Sequence, residues 1–296
     1  MAKKALDSGI YNRVVVNDFL LSNYIIYNAF MGNGSWNYQK LDDFVGRLND
    51  LRDEDIHENW FSYNYGNKYF DVNTAKRIGL IRDEIRTHKE EFTNKEHSIL
   101  IASLIYSIDK LANTVGHYDS YIKKPIIPKK MKLKLINANK YPNAIIFKED
   151  ANTLARTIKA DVTYIDPPYN SRQYSRFYHI YETIAKWDTP KLYGVALKPS
   201  PSNMSEYCRA GAFEAFKDLI QSLDTKYIAV SYNNTYKSKS HSSENKITLE
   251  QIESTLNEIG RTLTFTHDYN AFNAGNTDFK NHKEFLFLTQ VTKHAL

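Results

Sequence analysis

The chain has 296 residues, a formal net charge of +5, one cysteine and 14% aromatic residues. That length allows a sizeable core, as one α/β domain with an insertion or as two domains. One cysteine excludes an intramolecular disulfide or a thiolate zinc cluster, and no stretch approaches the roughly 20 apolar residues of a membrane span. Lys3 and Lys4 precede no apolar core, so no signal peptide is read and a cytoplasmic protein is expected. The moderate basic balance suits nucleic acid but also many other partners.

In chain order, β-branched and aromatic runs predict strands at residues 13–17, 143–148, 161–165, 226–232, 262–267 and 284–290. Between the first two lies an insertion of about 120 residues with helical periodicity. Leu41, Phe44, Val45, Leu48 and Leu51 form one apolar stripe in it. Ala75, Ile78, Ile81 and Ile85 form a second behind the candidate caps Asp71 and Asn73, and residues 97–113 read as a buried helix. Phe213, Phe216, Ile220 and Leu223 predict a helix before the fourth strand. Thr248 and Gln251 form a possible capping box for a helix ending at Gly260. Strand–helix alternation predicts a doubly wound, mostly parallel sheet. The last two strands, joined through Asn270 to His282, are expected to form an antiparallel hairpin at one edge.

The chemistry concentrates at Asp166-Pro167-Pro168-Tyr169, directly after the run Asp161 to Ile165. Two prolines end a sheet strand, and the carboxyl end of a strand in an open α/β sheet is where ligands bind. Asp166 offers a carboxylate acceptor, the prolines a rigid turn with carbonyls, and Tyr169 a flat face for a base. That set suits an exocyclic amine on a heteroaromatic ring, whose lone pair two acceptors would localise. An incidental strand-to-turn junction is the competing reading of the tetrapeptide alone.

The block Tyr164 to Tyr174, followed by Tyr178-His179 and Glu182-Thr183-Ile184-Ala185, resembles the catalytic loop and following helix of the Dam-like adenine-specific DNA methyltransferases. Ala112 to Tyr118 and Tyr121 to Lys124 resemble a segment of that family's restriction-modification branch, and the likeness runs from about residue 12 to residue 292. The resemblance implies a Rossmann-like, S-adenosylmethionine-dependent methyltransferase sheet formed by residues 1–35 and 136–296. Residues 36–135 would be a helical target-recognition insertion, although any helical cap domain fits the same pattern. It implies transfer of a methyl group to the exocyclic amine of adenine in double-stranded DNA, with Asp166, Pro167, Pro168 and Tyr169 catalytic.

The resemblance also implies that Asp18 and Asp150 hold the ribose and adenine of the methyl donor, beside Asp166. Read from position alone, each is a helix N-cap in preference to a donor contact. Lys123, Lys124, Lys129 and Lys130 open a basic run with Lys132 and Lys134, kept extended by Pro125 and Pro128. They are read as DNA contacts, a solvated linker being the alternative. Arg172 and Tyr174 are candidates for clamping the flipped nucleotide or its neighbours, and Tyr178 and His179 for packing. The family's Phe-x-Gly-x-Gly turn is not found at the start, where Ala2 to Gly9 resembles the end of the helix that follows that turn. Phe30-Met31-Gly32-Asn33-Gly34 fits the letters but reads as a helix-ending loop, because no strand ending in an acidic residue follows about 20 residues later. A central first strand is therefore expected to be missing, with a truncated product, a split enzyme completed by an N-terminal fragment or subunit, or a rearranged domain as explanations. The competing functions are a catalytically inactive DNA-binding derivative and a methyltransferase for RNA or a protein amide.

Overall fold

A computed structural model describes residues 1–234, 244–268 and 283–292. The elements in chain order are α1 (Ala2–Asp7), β1 (Val14–Asn17), α2 (Leu21–Met31), α3 (Tyr38–Asp50), α4 (Trp60–Tyr65), α5 (Val72–Thr87) and α6 (Asn94–Asp109). There follow β2 (Ala144–Phe147), α7 (Ala151–Ala155), β3 (Lys159–Ile165), α8 (Tyr174–Phe177), α9 (His179–Lys186), α10 (Ala212–Ser222), β4 (Asp224–Asn233), α11 (Leu249–Ile259), β5 (Gly260–Asp268) and β6 (Lys283–Val291). They form two compact units, Met1–Lys148 with Tyr174–Ser202 and Glu149–Gln173 with Asn203–Leu296.

The first unit is mainly helical. Leu41, Phe44, Val45 and Leu48 of α3, Ile78, Ile81 and Ile85 of α5, and Ile99 to Ile105 of α6 make its core. Leu51 departs from the expected stripe. It is 40% exposed because α3 ends at Asp50 and Leu51 is its extended C-cap. Asp71 caps α5 through Thr74 N, whereas Asn73 lies within the helix. The predicted helix at 97–113 starts earlier and ends at Asp109, since Thr93 and Glu96 close a reciprocal capping box. Gly32 ends α2 with its N–H on Asn28 O, and a Cβ there would lie 2.6 Å from that oxygen. The Phe30–Gly34 run is thus a helix-ending loop. β1 and β2 pair in parallel from Val14↔Ala144 to Asn17↔Phe147.

In the second unit, one sheet runs β3-β4-β6-β5. β3 and β4 are parallel, while β4–β6 and β6–β5 are antiparallel. Inward Ile165, Ile228, Val230, Tyr232 and Phe287 pack with Phe216, Leu219 and Ile220 of α10 and Ile252, Leu256 and Ile259 of α11. Period-2 alternation turns Val162, Tyr164, Tyr227, Leu263, Phe265 and Leu286 outward, each 39–51% exposed.

One expectation is corrected. Pairings divide evenly between parallel and antiparallel, so the sheet is mixed, not mostly parallel. The described strands form two sheets. β5 and β6 form the expected antiparallel pair at one edge, with β6 next to β4 and β5 outermost. A parallel return of β6 would need a crossover connection, which the antiparallel arrangement does not. The connecting stretch Asn270 to His282 lies outside the described residues.

Candidate functional site

β3 ends at Ile165, which pairs with Val230 of β4, and that register sets Asp166 beside Ser231. Asp166 Oδ1 accepts hydrogen bonds from Ser231 Oγ and from Tyr169 Oη, each at 3.0 Å. Tyr164 Oη in turn donates to Ser231 Oγ at 2.9 Å. The turn is fixed from behind: the Tyr169 carbonyl accepts from Tyr232 Oη at 3.0 Å and from Lys246 N at 2.9 Å. Tyr169 and Tyr232 meet edge to face, with ring centroids 5.1 Å apart. Burial, and secondarily the Asp166 charge, raises the pKa of Glu284, at the start of β6. A carboxylate is thus held at a strand's carboxyl end by two hydroxyl donors on one oxygen.

Asp166 and Tyr169 are the predicted residues that the structure joins directly, while Pro167 is buried and Pro168 half-buried in the turn between them. Arg172 belongs to the same unit, its N–H on Asn170 Oδ1 at 3.0 Å and its carbonyl accepting from the buried Cys208. Asp150 follows β2 and caps α7 through Thr153 N at 3.1 Å.

Asp18, Tyr174 and the lysines belong to the other unit. Asp18 follows β1 and accepts from Leu20 N at 2.9 Å, Asn23 Nδ2 at 2.8 Å and Tyr27 Oη at 3.3 Å. It is not the N-cap of α2, which is Leu20. Burial raises its pKa against these donors. Tyr174 opens α8, is 40% exposed, and lies near Tyr178.

Lys123, Lys124, Lys129, Lys130, Lys132 and Lys134 are exposed, on a segment without helix or strand. That segment is docked and is not a loose linker. Met131 and Leu133 are buried, Leu133 exchanges hydrogen bonds with Asn49, and Lys134 N and Ile136 N donate to Ser107 and Ser103. His179 is 1% exposed, and burial lowers its pKa to about 3, which suits packing.

The sequence reading missed Ser231, Tyr232 and Glu284, and it named Tyr164 only as the start of the catalytic-loop block. One signal was present: a serine lying one step beyond the inward residue of the next strand. Using it required the β3–β4 register. Among the described residues no group of three metal-ligating side chains occurs, and no helix is long and apolar enough to cross a membrane.

The family model for the D12 class N6 adenine-specific DNA methyltransferases matches residues 2–247. The type II methyltransferase M.FokI of Planomicrobium okeanokoites is 35% identical over 273 residues, covering 86% of this chain and 41% of that protein. The modification methylase StsI of Streptococcus sanguinis is 37% identical over 173 residues, 56% of this chain and 26% of that protein. The type II methyltransferase M.NlaIII of Neisseria lactamica is 28% identical, covering 95% of this chain and 85% of that protein. The chain therefore spans less than half of M.FokI and about a quarter of StsI, but most of M.NlaIII. No solved structure matches it at comparable significance.

Proposed function

Because this chain belongs to the D12 class of N6 adenine-specific DNA methyltransferases, we propose that it transfers a methyl group from S-adenosylmethionine to the exocyclic amine of adenine at a specific site in double-stranded DNA. The observation that carries the reading is the Asp166–Tyr169 turn, held by Ser231 and Tyr232 at the carboxyl end of β3. The likeness to M.FokI and M.NlaIII supports a restriction-modification context.

The target adenine leaves the duplex stack, as chemistry on a base amine requires. Tyr169 stacks on the extruded base. Asp166 and the Pro167 carbonyl accept the two amine N–H groups, which localises a lone pair otherwise conjugated into the ring. Positive charge forms on that nitrogen during transfer, and Asp166 is oriented to stabilise it. No covalent enzyme intermediate is required. Cys208, the single cysteine, is buried and its thiol is pushed up to about 11, which suits an inert role.

Each unit carries acceptors of the kind that S-adenosylmethionine needs. Asp18, Asp150 and Asp166 stand just beyond the carboxyl ends of β1, β2 and β3, and the ribose hydroxyls and adenine amine need such acceptors. Asn23 and Tyr27 orient the Asp18 carboxylate for that task. The bound donor supplies an electrophilic methyl group.

The finer architecture belongs to the same proposal: a Rossmann-like sheet lacking its central strand, with target recognition by residues 36–135 and DNA contacts from Lys123, Lys124, Lys129, Lys130, Arg172 and Tyr174. Two features support a missing strand. Among the described residues, β1–β2 form a sheet of their own and β3 is an edge strand with an uncovered apolar face, which parallel strands rarely tolerate. A complementing strand-and-turn segment from another fragment or subunit would meet that edge. The same features favour a second reading, a DNA-binding derivative that does not hold the donor.

Labelled methyl transfer to duplex DNA tests the proposal. The chain, alone or with a complementing fragment, should label adenine N6. Asp166→Ala should lower the rate by about a hundredfold or more while keeping DNA affinity. Equal rates would remove Asp166 from the chemistry, and DNA binding without donor binding under either condition would select the second reading.

A further inference from the structure

One face of α8 and α9 and the loop 188–202 enclose a cavity of about 260 Å³ within the first unit. Ser175, His179 and Thr183 recur along its helical wall at four-residue spacing, one above the other. Ser175 is 8% and His179 1% exposed. Ser175 Oγ and His179 Nε2 have no hydrogen-bond partner among the described residues. His179 Nδ1 lies 3.3 Å from the Arg176 carbonyl and donates to it, which leaves Nε2 as a bare acceptor. Buried groups of this kind call for a ligand or water that the surrounding side chains do not replace.

Three cations line the same cavity; the hydrogen bonds and ring contact cited here are with neutral groups, and Arg176 also feels the charge of Asp119. Arg176 donates to the Pro199 carbonyl, Lys186 Nζ to Ser202 Oγ at 3.1 Å, and Lys191 Nζ lies 5.5 Å from the Tyr193 ring centroid. Two acids also line it. The Glu182 carboxylate is already taken by Ser22 N at 2.8 Å and Leu21 N at 3.3 Å, and Asp188 is exposed. The loop is held in backbone conformations that favour glycine: Trp187, Thr189 and Leu197 have φ of 55°, 44° and 51°. A β-branched residue there is an outlier, and such strain clusters at functional sites.

We propose that this cavity is a phosphate-binding site. Its donors come from α8, from the end of α9 and from the first leg of the loop, and this spread matches a tetrahedral anion better than a planar carboxylate. Arg176, Lys186, Lys191 and the Ser175 hydroxyl donate to phosphate oxygens, and a phosphate-bound water donates to His179 Nε2. The phosphate belongs either to the DNA backbone or to free inorganic phosphate. Only the DNA source rests on the methyltransferase reading.

Calorimetric titration of the full chain with sodium phosphate, against sodium chloride at equal ionic strength, tests the site. Fluorescence anisotropy with duplex DNA across a salt series then tests the source. Lys191→Gln is the principal variant, since that side chain sits over the Tyr193 ring, and Lys186→Gln is the second. Saturable phosphate heat in the parent chain, weakened about tenfold in the variants, is expected. A backbone source lowers the slope of log affinity against log salt by about 0.9 in each variant. Phosphate binding with unchanged slopes supports the free-ion source. Phosphate heat indistinguishable from chloride together with unchanged slopes overturns the proposal. Failure of the chain to bind DNA at all would count against the methyltransferase reading, and the phosphate titration would still decide the site.

Discussion

Asp166 and Tyr169 were legible in the letters because prolines after a β-branched run have few other places to sit. What holds them was not. Ser231 is an unremarkable serine until the Ile165↔Val230 pairing sets it beside Asp166. By donating to Oδ1, together with Tyr169, it restricts the carboxylate, which under the proposed function leaves Oδ2 to accept from the substrate amine. Ser231→Ala should therefore lower the methyl-transfer rate about tenfold, with donor and DNA affinities unchanged and recovery in Ser231→Thr. Single-turnover kinetics beside equilibrium binding read this directly. A change in affinity at constant rate would mean that Ser231 only packs.

Helix boundaries show how far local signals reach. The Thr248–Gln251 capping box was readable and forms reciprocally. The equivalent Thr93–Glu96 pair stood in the sequence too, but its weight comes from tertiary partners that no window contains. Glu96 is 2% exposed and accepts from Asn37 N at 2.8 Å, Lys40 Nζ at 2.8 Å and Thr93 N at 2.9 Å. It thereby ties the start of α6 to the start of α3, and these donors hold its pKa below the ordinary carboxylate value against the burial that raises it. Glu96→Ala strands these donors and should cost about 2–3 kcal/mol. Urea unfolding of the full chain measures it. A loss under about 0.5 kcal/mol, the range of ordinary surface substitutions, would show that water replaces the carboxylate.

Across the molecule, strand positions followed from composition whereas strand order did not. Order depends on pairings between segments far apart in the chain, and β6 enters between β4 and β5 for reasons of long-range packing. Acid stability is also a property of the whole chain. Burial holds His97 at about 4 and His179 at about 3, below their ordinary 6.5, so both stay neutral in the folded state. The unfolded chain then binds protons first as pH falls. Their contribution is complete above about pH 6.5 and is lost as pH drops towards 4. Asp18 and Glu284, raised by burial, act oppositely at the lower end. Melting temperature should therefore fall between pH 6.5 and 4.5, and His97→Gln or His179→Gln should flatten that fall. Unaltered slopes in both variants would assign the acid sensitivity elsewhere.

The docked lysine segment has a thermodynamic consequence. With Met131 and Leu133 buried and Leu133 tied to Asn49, its backbone is ordered before any partner arrives. The entropy of ordering it then belongs to folding and not to association. Its contact with a polyanion should carry the small heat-capacity change of a preformed surface, without the large negative increment of a segment that folds as it binds.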